Sequence, residues 1–205
     1  MQSLSFSLRV KGDRACFTRP EAKIERVSYE VMTPSAAKGV FEAVLWHPGI
    51  TWVIEKIHIL KPIKFEQIKR NEVKGECNLR GDYQNFNAES QRTQRNTIFL
   101  TDVDYIIEAH FSLDFTKCSE SDTYVKFEQM MFRRLEKGQH YQQPYLGCRE
   151  FPAYIEKAPK EWATPLEFTY RDFGLMLKDF DFSGAEVKPK FFNAIVKNGC
   201  IEVPV

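Results

Sequence analysis

The chain has 205 residues, 43% apolar and 28% charged, with a net charge of +1 at neutral pH. That length supports one sizeable domain or a main domain with a small appendage, and the apolar fraction is that of an ordinary globular protein. Five scattered cysteines, Cys16, Cys77, Cys118, Cys148 and Cys200, form no C-x-x-C pair, which argues against a disulfide framework and a structural zinc site and for a reducing cytoplasm.

Leu4, Phe6, Leu8 and Val10 alternate with Ser3, Ser5, Ser7 and Arg9, which predicts a first strand over 4–10 rather than the continuous apolar core of a signal peptide. No apolar run approaches about 18 residues, so no segment is expected to span a membrane. Residues 11–29 read as a turn and an irregular edge. Thr33–Leu60 then predicts a capped helix, a stop and a strand. Ala36/Ala37, Val40/Phe41 and Val44/Leu45 recur four apart as a helix stripe. Thr33 suits the N-cap, and Pro34 suits the first helical position, where a missing N–H costs nothing. His47-Pro48-Gly49 ends the helix. From Trp52 the period moves towards two, with Lys56 and His58 alternating with Ile57 and Ile59. Trp46 and Trp52 read as core rings, and His58 and His110 as solvated strand residues.

Residues 61–96 show little periodicity and read as a long loop. Lys64, Lys69, Arg70, Lys74 and Arg80 lie there with Tyr83 and Phe86. That mixture suits a segment that orders on nucleic acid. Ile98–Phe115 alternates cleanly and predicts a long strand with one buried face. Asp122–Gly138 predicts a helix capped by Thr123 or Asp122, with Gly138 at its C-terminal end. Its apolar face is Tyr124, Phe127, Met131 and Leu135. Lys126, Arg133 and Lys137 share the opposite face, a track for phosphates, with Arg134 beside them. A ring-rich turn follows and runs into a strand near 145–154. Residues 156–165 read as a linker, and the last forty residues as β, with Asn198-Gly199 as a hairpin turn.

The order strand, helix, strand, loop, long strand, helix, strand is that of an α+β, ferredoxin-like (RRM-like) domain over 1–155, with a small all-β extension over 156–205. The open sheet face of such a fold is the one RNA-recognition domains use. Charge is divided unevenly: residues 1–80 hold 14 Lys and Arg against 9 Asp and Glu, and the remainder 15 against 19. A basic half and a mildly acidic half fit a polyanion on one face and protein contacts on the other.

The dinucleotide and phosphate-loop glycine motifs, H-E-x-x-H and G-x-S-x-G are all absent. His47, His58, His110 and His140 have no close metal-ligand spacing. Asp102/Asp104 and Asp179/Asp181 read as exposed strand carboxylates, so neither a metal nor another cofactor is expected. Acid–base chemistry remains. RNA supplies its own nucleophile, the 2′-OH. A protein has to align it, move its proton, stabilise the phosphorane and protonate the leaving 5′-oxygen.

TPSAAKGVFEAVLWHPGITWVIEKIHILKPIKFEQIKRNEV, together with RRLEKGQHYQQPYLGCREFPA, ACFTRPE at 15–21 and NGCIEVP at 198–204, resembles the type I-C (Dvulg) branch of the Cas-five family. These are CRISPR-associated proteins of the RAMP superfamily. The resemblance implies a metal-independent endoribonuclease that cuts the repeat hairpin of precursor CRISPR RNA. The products are a 5′-hydroxyl and a 2′,3′-cyclic phosphate. It also implies that the protein keeps the crRNA 5′ handle and joins the backbone and large subunits of an interference complex. The branch's catalytic set is a tyrosine before the helix-ending tryptophan and an adjacent Lys-His pair. Counted without gaps, these fall on Leu45, Lys126 and Phe127, so only the lysine is present. The candidate catalytic residues are therefore Lys126 with the neighbours His140, Tyr141 and His47. Lys64, Lys69, Arg70, Lys74, Arg80, Arg133, Arg134 and Lys137 are the candidate RNA-binding residues. A second reading is a non-catalytic subunit that grips the 5′ handle, motivated by Leu45 and Phe127. A third is duplex binding, to DNA or RNA, through phosphate contacts alone.

Overall fold

Alternation over the first fifteen residues builds β1 (Phe6–Ala15), which buries Phe6, Leu8 and Val10 on one face. The computed structural model describes residues 2–22, 24–74, 87–182, 184 and 186–204. β1 is followed by the short β2 (Arg26–Val27), α1 (Pro34–Val44), β3 (Ile50–Ile59), β4 (Phe65–Val73) and β5 (Arg92–Leu113). Then come α2 (Tyr124–Lys137), β6 (Tyr154–Lys157), β7 (Tyr170–Asp181), β8 (Lys188–Lys197) and β9 (Cys200–Glu202). The fold class is α+β, with one mostly antiparallel sheet in the order β6-β1-β5-β3-β9-β8-β7. β2 and β4 pair with β5 beside this path.

Both helices are capped as the sequence predicts. The Thr33 hydroxyl accepts from Ala36 N–H, and the Thr123 hydroxyl accepts from Lys126 N–H. α2 stops at Gly138 in the left-handed region at φ 61°, where the missing Cβ removes the steric penalty. The helices pack on one sheet face, and rings dominate that core. Phe41 of α1 lies 4.7 Å from Trp52, while Phe127 of α2 meets Phe111 edge-on at 6.4 Å. At the C-terminal end Asn198 and Gly199 have φ of 49° and 75°, and this tight turn joins β8 to β9.

β5 changes partner part-way along. Its first half pairs with β4 and its second half with β3, and Asp102 sits at the change with φ of 54°. Lys61 and Lys64 both reach the Asp102 carboxylate there. Residues 65–73 and 92–96, read from sequence as loop, are thus the two arms of a hairpin. Its strands are polar on both sides, so no period of two marks them. Arg80, Tyr83 and Phe86 lie outside the described residues. The strand expected near 145–154 is reduced to a single bridge, Tyr145 to Pro152, with the strand itself at 154–157.

The sheet face away from the helices is not an open RNA platform. Arg9 grips the buried Asp104 with two hydrogen bonds of 3.0 and 2.6 Å. His58 pairs with Glu108 at 2.7 Å and His110 with Glu55 at 2.8 Å, so these histidines are partnered rather than solvated. β6 and β7 lie at opposite ends of the sheet, and the connector between them crosses this face. Trp162 packs edge-on to His58 at 5.0 Å, and Gly199 N–H donates to Phe168 O at 2.7 Å. Ile106, which points to this face, is fully buried.

Gly147 shows how tightly the 144–152 segment is held on β1. A Cβ there would stand 2.1 Å from the Cys16 carbonyl oxygen, at a φ of +81°. Gly147→Ala is expected to cost about 3 kcal/mol from left-handed backbone strain together with the clash. Thr33→Ala, which removes only a cap, is expected to cost about 1 kcal/mol. Urea unfolding of the two variants checks both values and their order.

Candidate active site

The end of α1 is fixed by three other elements. Trp52 Nε1 donates to Leu45 O at 3.0 Å, Tyr141 N–H donates to Ala43 O at 2.8 Å, and Arg134 donates to Val44 O. These are the carbonyls that a helix end leaves unpaired, so the contacts both satisfy them and lock the turn that follows. Leu45, at the position where the resemblance puts a tyrosine, is buried in the core. The next residue points the other way. Trp46 is 50% exposed, against the expectation of a core ring, and stacks on the 59% exposed Tyr141 with centroids 5.7 Å apart at 22°.

His47 follows. Its Nδ1 accepts from Gly49 N–H at 3.2 Å, which leaves the proton of the neutral ring on Nε2, 3.6 Å from an Asp122 carboxylate oxygen. Its ring lies 4.9 Å from that of Phe127. An imidazole carried by the end of α1 therefore stands beside the α2 position where the resemblance puts a histidine. Phe127 itself is buried.

Asp122 joins the two helices electrostatically. Its Oδ1 accepts from Lys126 Nζ at 2.7 Å, and its Oδ2 accepts from Ser119 N–H and Oγ, each at 2.8 Å. The Lys126 bond and then the Ser119 bonds hold its carboxyl well below the usual carboxylate range, so it is an anion at neutral pH. Lys126 keeps 41% of its side chain in solvent. The arrangement is a half-exposed cation and an imidazole held against one buried carboxylate.

His47, Cys118 and Asp122 also bring possible metal-ligand atoms within 4.8 Å of one another. Their donors fit an ion poorly. The Asp122 oxygens are already hydrogen-bonded, as is His47 Nδ1, while burial, with Asp122 and Asp114, pushes the Cys118 thiol up.

Of the other predicted residues, Tyr141 and His140 reach this neighbourhood through the turn after α2. His140 lines a cleft of about 370 Å³ with Val44, Arg134, Gln143, Pro144 and Tyr154. Arg133 is exposed on α2 and shares a shallow depression with Lys126, Gln129 and Met130. Lys137 is exposed in the last turn of the same helix. Arg134 holds the α1 carbonyl rather than standing free. Lys64, Lys69, Arg70 and Lys74 are not brought to the α1 end. Lys64 precedes β4, and Lys69, Arg70 and Lys74 lie along the β4–β5 hairpin, where Glu150 and Glu72 pair with Arg70. Arg80 lies outside the described residues. Sequence reasoning missed Asp122 as the link between His47 and Lys126. The signal for it in the sequence is the i, i+4 spacing of Asp122 and Lys126, which reading Asp122 as a cap does not use.

The chain matches the family model Cas_Cas5d, described as CRISPR-associated protein (Cas_Cas5), over residues 6–204. A CRISPR pre-crRNA endoribonuclease Cas5d of Mannheimia succiniciproducens is 44% identical, covering 96% of this chain and 93% of the relative. A protein of the same name from Thermus thermophilus is 37% identical, covering 96% and 90%. Among solved structures, a CRISPR-associated protein has a TM-score of 0.76 at 24% identity over 100% of this chain and 94% of the other. A chain of a CRISPR RNA-guided surveillance complex has a TM-score of 0.54 at 13% identity over 98% and 91%. These structural likenesses bear on the fold, and the sequence relatives carry the relationship. The chain belongs to the Cas5d family of CRISPR-associated proteins.

Proposed function

We propose that this chain is a pre-crRNA endoribonuclease that cuts the repeat hairpin without a metal ion and then holds the crRNA 5′ handle within a type I-C surveillance complex. The activity is the one named for both Cas5d relatives. The observation that carries the mechanism is the pairing of Lys126 and His47 with Asp122 at the junction of α1 and α2. The RNA 2′-oxygen attacks the adjacent phosphorus and gives up its proton to a neutral imidazole, the role left to His140. The bond to the 5′-oxygen breaks, and that oxygen takes a proton. A 2′,3′-cyclic phosphate and a 5′-hydroxyl result. Lys126 supplies positive charge to the phosphorane. His47 delivers a proton from Nε2 to the leaving oxygen as its imidazolium, a form in which Nδ1 is also protonated and gives up the Gly49 N–H bond, and it ends as the neutral ring. Tyr141 is the remaining proton-transfer candidate.

The scaffold reading goes with this. The order β6-β1-β5-β3, antiparallel throughout, with helices after its first and third strands in sequence, supports a ferredoxin-like unit over 1–155. Residues 156–205 would then be a β extension, and docking of backbone and large subunits is part of the same proposal. No described helix is long and apolar enough to cross a membrane, and the scattered cysteines favour the cytoplasm. A second reading, a 5′-handle-binding subunit that does not cut, is favoured by one observation: Leu45 and Phe127 fill core positions where the family pattern has polar groups.

Incubation of a labelled repeat hairpin with pure protein in EDTA separates the two readings. Cleavage that is blocked by a 2′-deoxy nucleotide at the cut supports the nuclease. Intact binding without cleavage contradicts it. Lys126→Ala and His47→Ala are each expected to lower the single-turnover rate by about 10²- to 10³-fold with the hairpin still bound. Asp122→Asn is expected to lower both rate and stability at pH 7. Because the folded carboxyl titrates below its unfolded value of about 4, its stabilisation is complete above that pH and fades as pH falls. The stability gap between wild type and Asp122→Asn, followed by denaturant unfolding from pH 7 to pH 3, should therefore narrow.

A further inference from the structure

We propose that the stacked rings of Trp46 and Tyr141 are the platform for one unpaired base of the RNA next to the scissile phosphate. The inference rests on the nuclease reading and adds the element that positions its substrate. Packing does not account for this pair. Trp52, six residues on, is 2% exposed and sits among Phe41, Phe6 and Phe111, whereas Trp46 at 50% lies outside that core. Both rings are nevertheless held in place. Trp46 follows a helix end locked by Trp52 and Arg134, and Tyr141 is tied through its own N–H to Ala43 O at 2.8 Å. Two exposed rings kept parallel at 5.7 Å leave no gap for a base between them, so the base stacks on an outer face.

The surroundings favour a nucleotide over a protein side chain. A protein interface needs a broad apolar patch, and the turn beside Tyr141 is Gln139, His140, Gln142 and Gln143. Positive charge stands on the element that holds this helix end: Arg134 donates to Val44 O, two residues before Trp46, Lys126 shares Asp122 with His47, and Arg133 and Lys137 are exposed on α2. A ring face flanked by positive charge is the combination that binds a base and its phosphates, and it tolerates any base because each has a π-face. Since Trp46 and His47 are consecutive, a base seated on the indole sets the reach of the imidazole to the adjoining phosphate.

The test is a binding and cleavage series on the repeat hairpin, with an abasic nucleotide moved one position at a time around the cut. Trp46→Ala is expected to weaken binding of the intact, 2′-deoxy-blocked hairpin by roughly 5- to 150-fold, the range of one base stack on an aromatic ring. Trp46→Phe keeps it within about threefold, and Tyr141→Ala weakens it less than Trp46→Ala. One abasic position weakens wild type and leaves Trp46→Ala no weaker than before, which a merely structural tryptophan would not produce. Circular dichroism and thermal melting confirm that the variants fold. A hairpin that wild type binds and cuts, with no abasic position coupled to Trp46, overturns the platform alone. A hairpin that wild type neither prefers nor cuts overturns the nuclease reading and the platform together.

Discussion

The helix end at Ala43–Leu45 is the constraint on which the rest of this molecule depends. A helix that stops inside a protein leaves carbonyl oxygens that must find donors. Here the donors come from three distant parts of the chain: the Trp52 indole on β3, Arg134 on α2 and the Tyr141 backbone in the turn after α2. Satisfying the helix end therefore fixes how α1, α2 and the sheet sit against one another. It also fixes where Trp46 and His47 point, since these are the first residues beyond the lock.

That arrangement sets what stands at the α1–α2 junction. Leu45 and Phe127 turn into the core and add apolar burial. Two residues beyond Leu45, past the end of α1, His47 lies against Phe127 and faces the carboxylate that also holds Lys126. An ionised Asp122 between a cation and an imidazole holds both without closing the site to solvent.

Much of this was legible in the residues. The α1 stripe, the Thr33 and Thr123 caps, the Gly138 stop and the Asn198-Gly199 turn all rest on local chemistry, and each stands where local chemistry puts it. What stayed hidden depends on contacts between distant segments. The β4–β5 hairpin carries no two-residue period over 65–73 and 92–96 because neither face is buried there. His58 and His110 alternate out of their strand as solvated residues would, and only the neighbouring strand supplies Glu108 and Glu55. Trp46 reads as one more core ring because hydrophobicity does not say which way a chain turns after a helix. Of the candidate site, Lys126, His47 and Tyr141 were visible one at a time. Asp122, which joins the first two, was visible only as a cap. The basic residues of the hairpin were grouped with α2 by charge alone, and the fold keeps the two groups on different elements.

The most direct test of the account is the structure of this chain bound to a 2′-deoxy-blocked repeat hairpin, read as the position of the scissile phosphate. The account predicts a non-bridging oxygen within hydrogen-bonding reach of Lys126 Nζ, with His47 on the side of the leaving 5′-oxygen. A phosphate held on the β4–β5 hairpin or on the Trp162 side of the sheet, away from the α1–α2 junction, would contradict it.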